Sequence, residues 1–370
     1  MKKIAKKLIL SHRRLQFRRV HRDYYRKIIA QNPEYAQPAD GETEWMERWS
    51  HYDSCLSPLC YRIYSRFCGC DINIVPLETC TNLIEPLFQP SIYSQTYDDK
   101  NLLGRILPLD VQATTYLRSM QRHLYNNEYQ PVVNIESVLK SIEGDVMVKP
   151  THLNSGKGIR LFQHNGRQLV DQYGTVLDEQ WLRQNYGGDF QVQQRIVQHP
   201  TLAHLNPICV NTIRLATYRD TNGHIHCLGG TLRIGAQGQY VDNSHHFGSC
   251  IGIADDGTLR NYCFDIYLSR STMLNGINLA TEAIRIDNYE QVKLFAIDMA
   301  ARFLHHDLLA FDISISPDGS PLCVEVNTQG FSAGIIQSGG RALFGKLTDE
   351  VLHRVEQHRG EITLQMVQTL

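Results

Sequence analysis

The stretch between Leu309 and Phe331 constrains this chain more than any other. Ala310, Asp312 and Ser314 alternate with Phe311, Ile313 and Ile315, the period of a strand with two unlike faces. Ser316-Pro317-Asp318-Gly319 then gives a strong turn signal before a second apolar run, so the pattern predicts a β-hairpin. Cross-strand partners share a face, and an even loop of two or four residues sets Asp312 opposite Cys323 or Glu325. Asp312, Glu325 and Asn327 then project together, with Val324 and Val326 behind them. Two carboxylates and an amide oxygen form a hard ligand set of the kind that Mg²⁺ with phosphate ligands requires. A polar, solvated sheet face is the plainer reading of any one of these residues taken alone.

A second stretch argues for the metal. Between Asp145 and Leu161 an apolar strand ends in Lys149-Pro150, followed by a polar loop with Ser155, Gly156, Lys157 and Gly158 and then another short strand. Glycines allow close backbone approach to a polyphosphate, backbone N–H groups supply donors, and the lysines bring compact positive charge. The spacing of a Walker loop is absent and no helix signal follows directly. An ordinary hairpin turn is the alternative for this loop on its own.

Together the two stretches resemble the ATP-grasp superfamily, and within it the sugar-transfer-associated branch. The resemblance rests on five elements in order over about 180 residues: Lys149-Pro150, Ser155 to Gly158, Gln191 to Pro200, Asn211-Thr212-Ile213-Arg214, and Asp312 with Glu325-Val326-Asn327. It implies an α+β fold of two lobes holding ATP between them, preceded by a mostly helical N-terminal region. The expected divisions are a basic amphipathic arm over 1–30, an N-terminal α/β region over 31–140, and ATP-grasp lobes over 141–200 and 201–360. By the same resemblance the backbone at Gln194, Arg195 and Ile196 meets the adenine; many relatives carry acids where this chain has Gln193 and Gln194. Lys149 and the Ser155, Gly156, Lys157 and Gly158 loop cover the phosphates, and Asp312, Glu325 and Asn327 hold one or two Mg²⁺ ions. Arg214 lies inside an apolar strand, where an unpaired charge costs several kcal/mol and demands an anionic partner. Arg233 on the next strand follows the same logic. That partner is either a structural carboxylate or, as the family implies, the transferring phosphate or a substrate carboxylate, which makes Arg214, Arg233 and Lys157 candidate catalytic residues.

The reaction implied is ADP-forming ligation of a carboxylate to an amine through an acylphosphate, joining an amino acid to a sugar or uronic acid of a surface polysaccharide. A kinase acting on a hydroxyl and a non-enzymatic nucleotide-binding scaffold are the rivals. Phosphate machinery is common to ligase and kinase, so these residues do not separate them.

Bulk properties bound the rest. Apolar content of 42% with 20% charge is ordinary for a globular protein, and no run of 18 or more apolar residues exists to span a membrane. The ten cysteines include no C-x-x-C, and the group Cys55, Cys60, Cys68, Cys70 and Cys80 fits neither a zinc site nor a disulfide frame. Reduced thiols and a cytoplasmic location are expected. Residues 1–27 hold eleven of the 37 Lys and Arg and one of the 38 acids, so they carry about +10 against about −11 for the remainder. Phe17, Val20, Tyr24 and Ile28 fall at helical spacing among these arginines. Such a helix either packs on the acidic body or lies on an anionic lipid surface, where each basic residue contributes about 1 kcal/mol. No nucleic-acid recognition fold accompanies the charge.

Several local readings complete the pass. Trp45 and Trp49 begin a helical core; Asp71 to Pro76 alternates like a strand. Asp99-Lys100-Asn101 resembles a recurrent Asp-Lys element of the same branch with no chemistry assigned, Asp98 and Asp99 being read more simply as helix-capping residues. The Asp242 to Gly252 segment resembles a glycine-rich loop of the branch, and His245 and His246 lack a third ligand at metal spacing. Asp265 to Ile286 departs most from the family and receives no role. The amphipathic pattern from Tyr289 to Leu304 predicts the helix that leads into the hairpin.

Overall fold

The computed structural model describes residues 2–152, 156–238, 240 and 248–362. Ser155 and the segment from Asp242 to His246 lie outside the described residues. The architecture is α+β, with two antiparallel sheets facing each other and a helical region at the N-terminus.

The smaller sheet holds β1 (Thr115–Met120), β2 (His123–Tyr125), β3 (Val146–Pro150), β4 (Arg160–His164), β5 (Leu169–Val170) and β6 (Phe190–Gln194) in the order β2-β1-β6-β3-β4-β5. Alternation sends Val146, Val148, Phe162, Phe190 and Val192 into one apolar core with the helices 135–140 and 179–186. The residues between them, Met147, Lys149, Gln191 and Gln193, face the other way, in register across β3 and β6. A lobe boundary at 141 cuts through this sheet. Leu117 of β1 lies opposite Val192 and shares its core; without β1, strand β6 would be left as an open edge.

The larger sheet holds β7 (Thr212–Arg219), β8 (Ile225–Ile234), β9 (Ser249–Ile253), β10 (Leu259–Phe264), β11 (Arg270–Ser271), β14 (Leu308–Ile315) and β15 (Pro321–Asn327), in the order β11-β10-β9-β8-β7-β14-β15; β12 (Met273–Leu274) and β13 (Ile277–Asn278) make a separate hairpin. Ile213, Leu215, Phe311 and Ile313 pack with the helix Tyr289–Ala300 on one face. The opposite face buries Ala216, Tyr218, Leu308 and Ala310 under the N-terminal helices and the helix Thr348–Gln357. Arg214 and Asp312 share that second face by alternation, at the end the helices leave to the cleft.

The N-terminal region is helical but attaches differently from its predicted stripe. Tyr25 and Ile28 are fully buried, whereas Val20 is 62% exposed. The inward face also uses Arg18, paired with Asp53 at 2.6 Å, and His21 beside Thr81, so polar stems occupy positions that apolar spacing alone overlooks. Trp45 and Trp49 are buried as predicted, and their indole N–H groups donate to the carbonyls of Ile74 and Ile72. Those bonds hold residues 71–75 as a turn-rich segment, not the strand their alternation suggests. Residues 265–268, which had no assigned role, form the anchor for this region. Tyr24, Asn32 and Tyr35 donate to the carbonyls of Ile266, Tyr267 and Leu268 in succession.

Candidate active site

The hairpin forms by an unexpected route. Its loop spans five residues, from Ser316 to Ser320, with Ile315 opposite Pro321. That odd loop would leave Asp312 out of phase, but a β-bulge between Asp312 and Ile313 shifts the register by one residue and brings Asp312 opposite Glu325. The bulge leaves Val324 partly exposed beside the cleft, while Val326 enters the core. Asp312 also pairs in register with Arg214 on its other side. A row of Glu325, Asp312 and Arg214 therefore crosses three adjacent strands.

Inside this row Arg214 grips Asp312 with two bonds, Nε to Oδ1 at 2.6 Å and Nη2 to Oδ2 at 2.8 Å. Arg233 adds a third from Nη1 to Oδ2 at 3.1 Å. The anionic partner demanded by both arginines is thus the carboxylate proposed as a metal ligand. Burial pushes the Asp312 carboxyl up, but the two guanidinium charges and their hydrogen bonds outweigh it and hold the group below the usual carboxylate range. Arg214 also donates to Ser332 Oγ at 3.2 Å. Ser332 sits in the left-handed region at φ 68°, a strained conformation for a side chain of this kind.

The two sheets enclose a cleft of about 600 Å³. Lys149, Gly156, Lys157, Arg214, Arg233, Asp312, Glu325 and Asn327 all line it, so most of the predicted residues meet in one place. Gly156 and Gly158 have φ of 69° and 76°, which explains the glycines in the loop. Gly158 is tied back to the lobe through its carbonyl, which accepts from the Tyr186 hydroxyl at 2.6 Å. Burial and the nearby Lys100 charge lower Lys149 to about 8, against an opposing pull from Glu325.

The hinge residues lie elsewhere. Gln194 and Ile196 do not line this cleft. Their neighbour Arg195 lines a second cavity of about 330 Å³ with Leu161, Gln163, Ile208 and Tyr240, and pairs with Asp145 at 3.1 Å. The backbone N–H groups of Gln194 and Arg195 are already spent on the carbonyls of Thr114 and Asp145.

Sequence reasoning missed a third wall, made of Tyr97, Asp98, Lys100, Leu103 and Gln112. Asp98 closes the helix Ser91–Tyr97 at its C-terminal end and accepts from Thr328 Oγ1 at 2.5 Å, so the helix-capping reading at an N-terminus does not hold for it. Burial raises its carboxyl above the usual range despite that bond and the nearby Lys100. Lys100 reaches Glu325 with Nζ 3.1 Å from Oε1. The Asp99-Lys100-Asn101 element was the signal for this wall.

Residues 79–351 match the family described as sugar-transfer associated ATP-grasp. The chain belongs to this family. It has the α+β ATP-grasp fold behind a helical N-terminal region, the fold of a superfamily whose enzymes are typically ADP-forming ligases. N5-carboxyaminoimidazole ribonucleotide synthetase from Thermotoga maritima aligns at 10% identity over 69% of this chain and 53% of its own, with a TM-score of 0.35. D-alanine–D-alanine ligase from Bacillus anthracis aligns at 14% identity over 72% of this chain and 69% of its own, with a TM-score of 0.38. The ATP-grasp ligase PsnB, solved with a minimal precursor, Mg and ADP, aligns at 12% identity over 72% and 62%, with a TM-score of 0.37. The chain spans about half the length of the Thermotoga synthetase. No curated protein matches it in sequence. Among the described residues no helix is long and apolar enough to cross a membrane.

Proposed function

We propose that this ATP-grasp protein is an ATP-dependent carboxylate–amine ligase acting on a sugar-linked substrate of surface polysaccharide synthesis. The observation that carries the reading is the meeting of Lys149 and Lys157 from one lobe with Asp312, Glu325 and Asn327 from the other in a single cleft. The donor set suits Mg²⁺. Glu325 is 35% exposed with one ion pair, Asn327 offers an amide oxygen, and Asp312 Oδ1 takes only one of the three arginine bonds, the other two falling on Oδ2. Mg²⁺ held there supplies charge neutralisation for phosphoryl transfer.

The chain's own residues position the reactants. Lys149 and Lys157 hold the polyphosphate, and the glycine loop lets backbone approach it. Arg214 and Arg233, fixed by Asp312, present positive charge to the acceptor carboxylate and to the acylphosphate. An acceptor carboxylate oxygen forms a bond to the terminal phosphorus as the bond to ADP breaks. An amine nitrogen then bonds the acyl carbon, phosphate leaves, and the amine gives up one proton. The basic helix keeps the enzyme near anionic membrane surfaces in this reading; since Tyr25 belongs to the core, removal of residues 1–10 alone tests that role, and unchanged sedimentation with anionic liposomes sinks it.

The test of the reaction is ADP release with Mg²⁺ and ATP against pooled amino acids and uronic acids in the presence of hydroxylamine, with Glu325→Ala as the blank. ADP release that depends on an added carboxylate, with hydroxamate accumulating, supports the ligase. ADP release that follows a sugar hydroxyl without hydroxamate replaces it by a kinase.

A further inference from the structure

The third wall carries a carboxylate that the proposed reaction has not used. The other two acids of the cleft are each matched by a cation of the chain, Asp312 by Arg214 and Arg233, and Glu325 by Lys100. Asp98 lines the same cleft, and among the described residues no Lys, Arg or His pairs with it. The Thr328 hydroxyl donates to Oδ1 at 2.5 Å and fixes the carboxylate, which leaves Oδ2 for a ligand.

The backbone adds to this charge. Asp98 directly follows the helix Ser91–Tyr97. The N–H groups that would continue the helix turn elsewhere, that of Lys100 to the Thr151 carbonyl at 3.4 Å and that of Asn101 to Asp99 Oδ1 at 2.9 Å. The Thr96 and Tyr97 carbonyls therefore lack their helical donors, and their partial negative charge lies beside the carboxylate. Such a corner suits a cation.

Its place in the cleft says which one. Arg214, Asp312 and Glu325 form a row across three adjacent strands, with Glu325 on the edge strand β15. Lys100 meets Glu325, and Thr328, the residue after β15, meets Asp98, so Asp98 stands at the β15 end of the row and the arginines at the other. The reaction proposed above joins a carboxylate to an amine, and at neutral pH most amines carry an extra proton. A carboxylate fits the arginines and is repelled by Asp98; for an ammonium the preferences reverse.

We infer that Asp98 is the receptor for the amine substrate, which it takes up as a primary ammonium and relieves of one proton. The inference rests on the ligase reading above. The ammonium gives its first proton to the Asp98 carboxylate. Its nitrogen then bonds the acyl carbon as the bond to phosphate breaks, and the second proton leaves with the phosphate.

Asp98→Asn in the full chain tests this, because hydroxylamine is a neutral nucleophile near pH 7 and needs neither service. Wild type and variant receive Mg²⁺, ATP and pooled uronic and amino acids, in one arm with hydroxylamine and in the other with amino acids and amino sugars as the only amines. Mass spectrometry counts hydroxamate and amide. Asp98→Asn should lose about tenfold or more in amide formation, the scale of one charged hydrogen bond, while hydroxamate falls by less than about threefold. Retained hydroxamate also shows that the variant folds, and Asp98→Glu should keep part of the amide formation. Equal loss of both products overturns the inference and leaves the ligase reading standing, since Asp98 would then serve phosphoryl transfer or the fold. Undiminished amide formation in Asp98→Asn overturns it likewise. No hydroxamate from wild type overturns the inference and the ligase reading together.

Discussion

The two ion pairs that face each other across the hairpin are built for different work. Arg214 and Asp312 lie on adjacent strands, with side chains 8% and 4% exposed, joined by two parallel bonds and supported by Arg233. Lys100 and Glu325 are 17% and 35% exposed and joined by one contact between a loop and the edge strand β15. Low dielectric and fixed backbones make the first pair costly to break. Partial solvation and a flexible four-carbon stem make the second exchangeable. One carboxylate thus anchors the two buried arginines, and the other is held by a single, partly solvated contact.

Removing the anchor tests this contrast most severely. Asp312→Ala leaves two arginine charges facing each other in a buried site, and the expected loss of unfolding free energy is about 3–5 kcal/mol. Denaturant titration measures it. Combining Asp312→Ala with Arg214→Met should restore part of the loss, since the charge left without a partner has gone too. A loss below about 1 kcal/mol would place Asp312 among surface pairs and remove the distinction.

Glu325→Ala sharpens the contrast from the other side. Its stability should change by less than about 1 kcal/mol. Its ATP turnover should fall by about a hundredfold or more, since a lost charge-stabilising group costs on that scale. Denaturation and ADP release on one preparation decide the matter. Parallel loss of stability and turnover would mean that both carboxylates are structural.

The contrast also marks what the sequence made legible. Alternation and a turn signal sufficed to put Asp312, Glu325 and Asn327 on one sheet face, because a period of two is a local property. Even so, the even loop left Cys323 and Glu325 both open as the partner of Asp312, and Glu325 takes that place because an odd loop and a bulge cancel. Lys149 and Lys157 were legible because glycines at left-handed positions declare a close-approach loop. Lys100 was not, since its importance comes from a contact with Glu325 across more than two hundred residues. The docking of the first helix was misread for a related reason. Apolar spacing picked Val20, but the inward face is completed by Arg18 and His21, whose partners are Asp53, in the loop after the helix Glu42–Ser50, and Thr81, in the helical segment Cys80–Ile84, and form no local pattern. The hinge was placed by resemblance, and the lining of the main cleft does not include Gln194 or Ile196.

The smallest effect concerns Lys149, which lines the same cleft as both pairs and is influenced by Lys100 and Glu325. Burial and the Lys100 charge bring it to about 8, with Glu325 opposing. Below that pH the ammonium is formed before ATP arrives, and affinity should be flat. Above it the ligand-free group is neutral, the phosphates restore its proton, and binding takes up a proton. Affinity should then fall by up to about tenfold per pH unit until the ordinary lysine range near 10.4. Calorimetry at pH 9 in buffers of different ionisation enthalpy counts that proton directly, and Lys149→Arg, charged throughout, should show neither the uptake nor the decline. Folding responds with the opposite sign. A lysine whose folded pKa is depressed costs stability fully below about 8, and the cost is relieved as pH rises toward the unfolded value. ATP affinity that falls over pH 8 to 10 while this contribution to stability rises separates Lys149 titration from general alkaline loosening, in which both decline together.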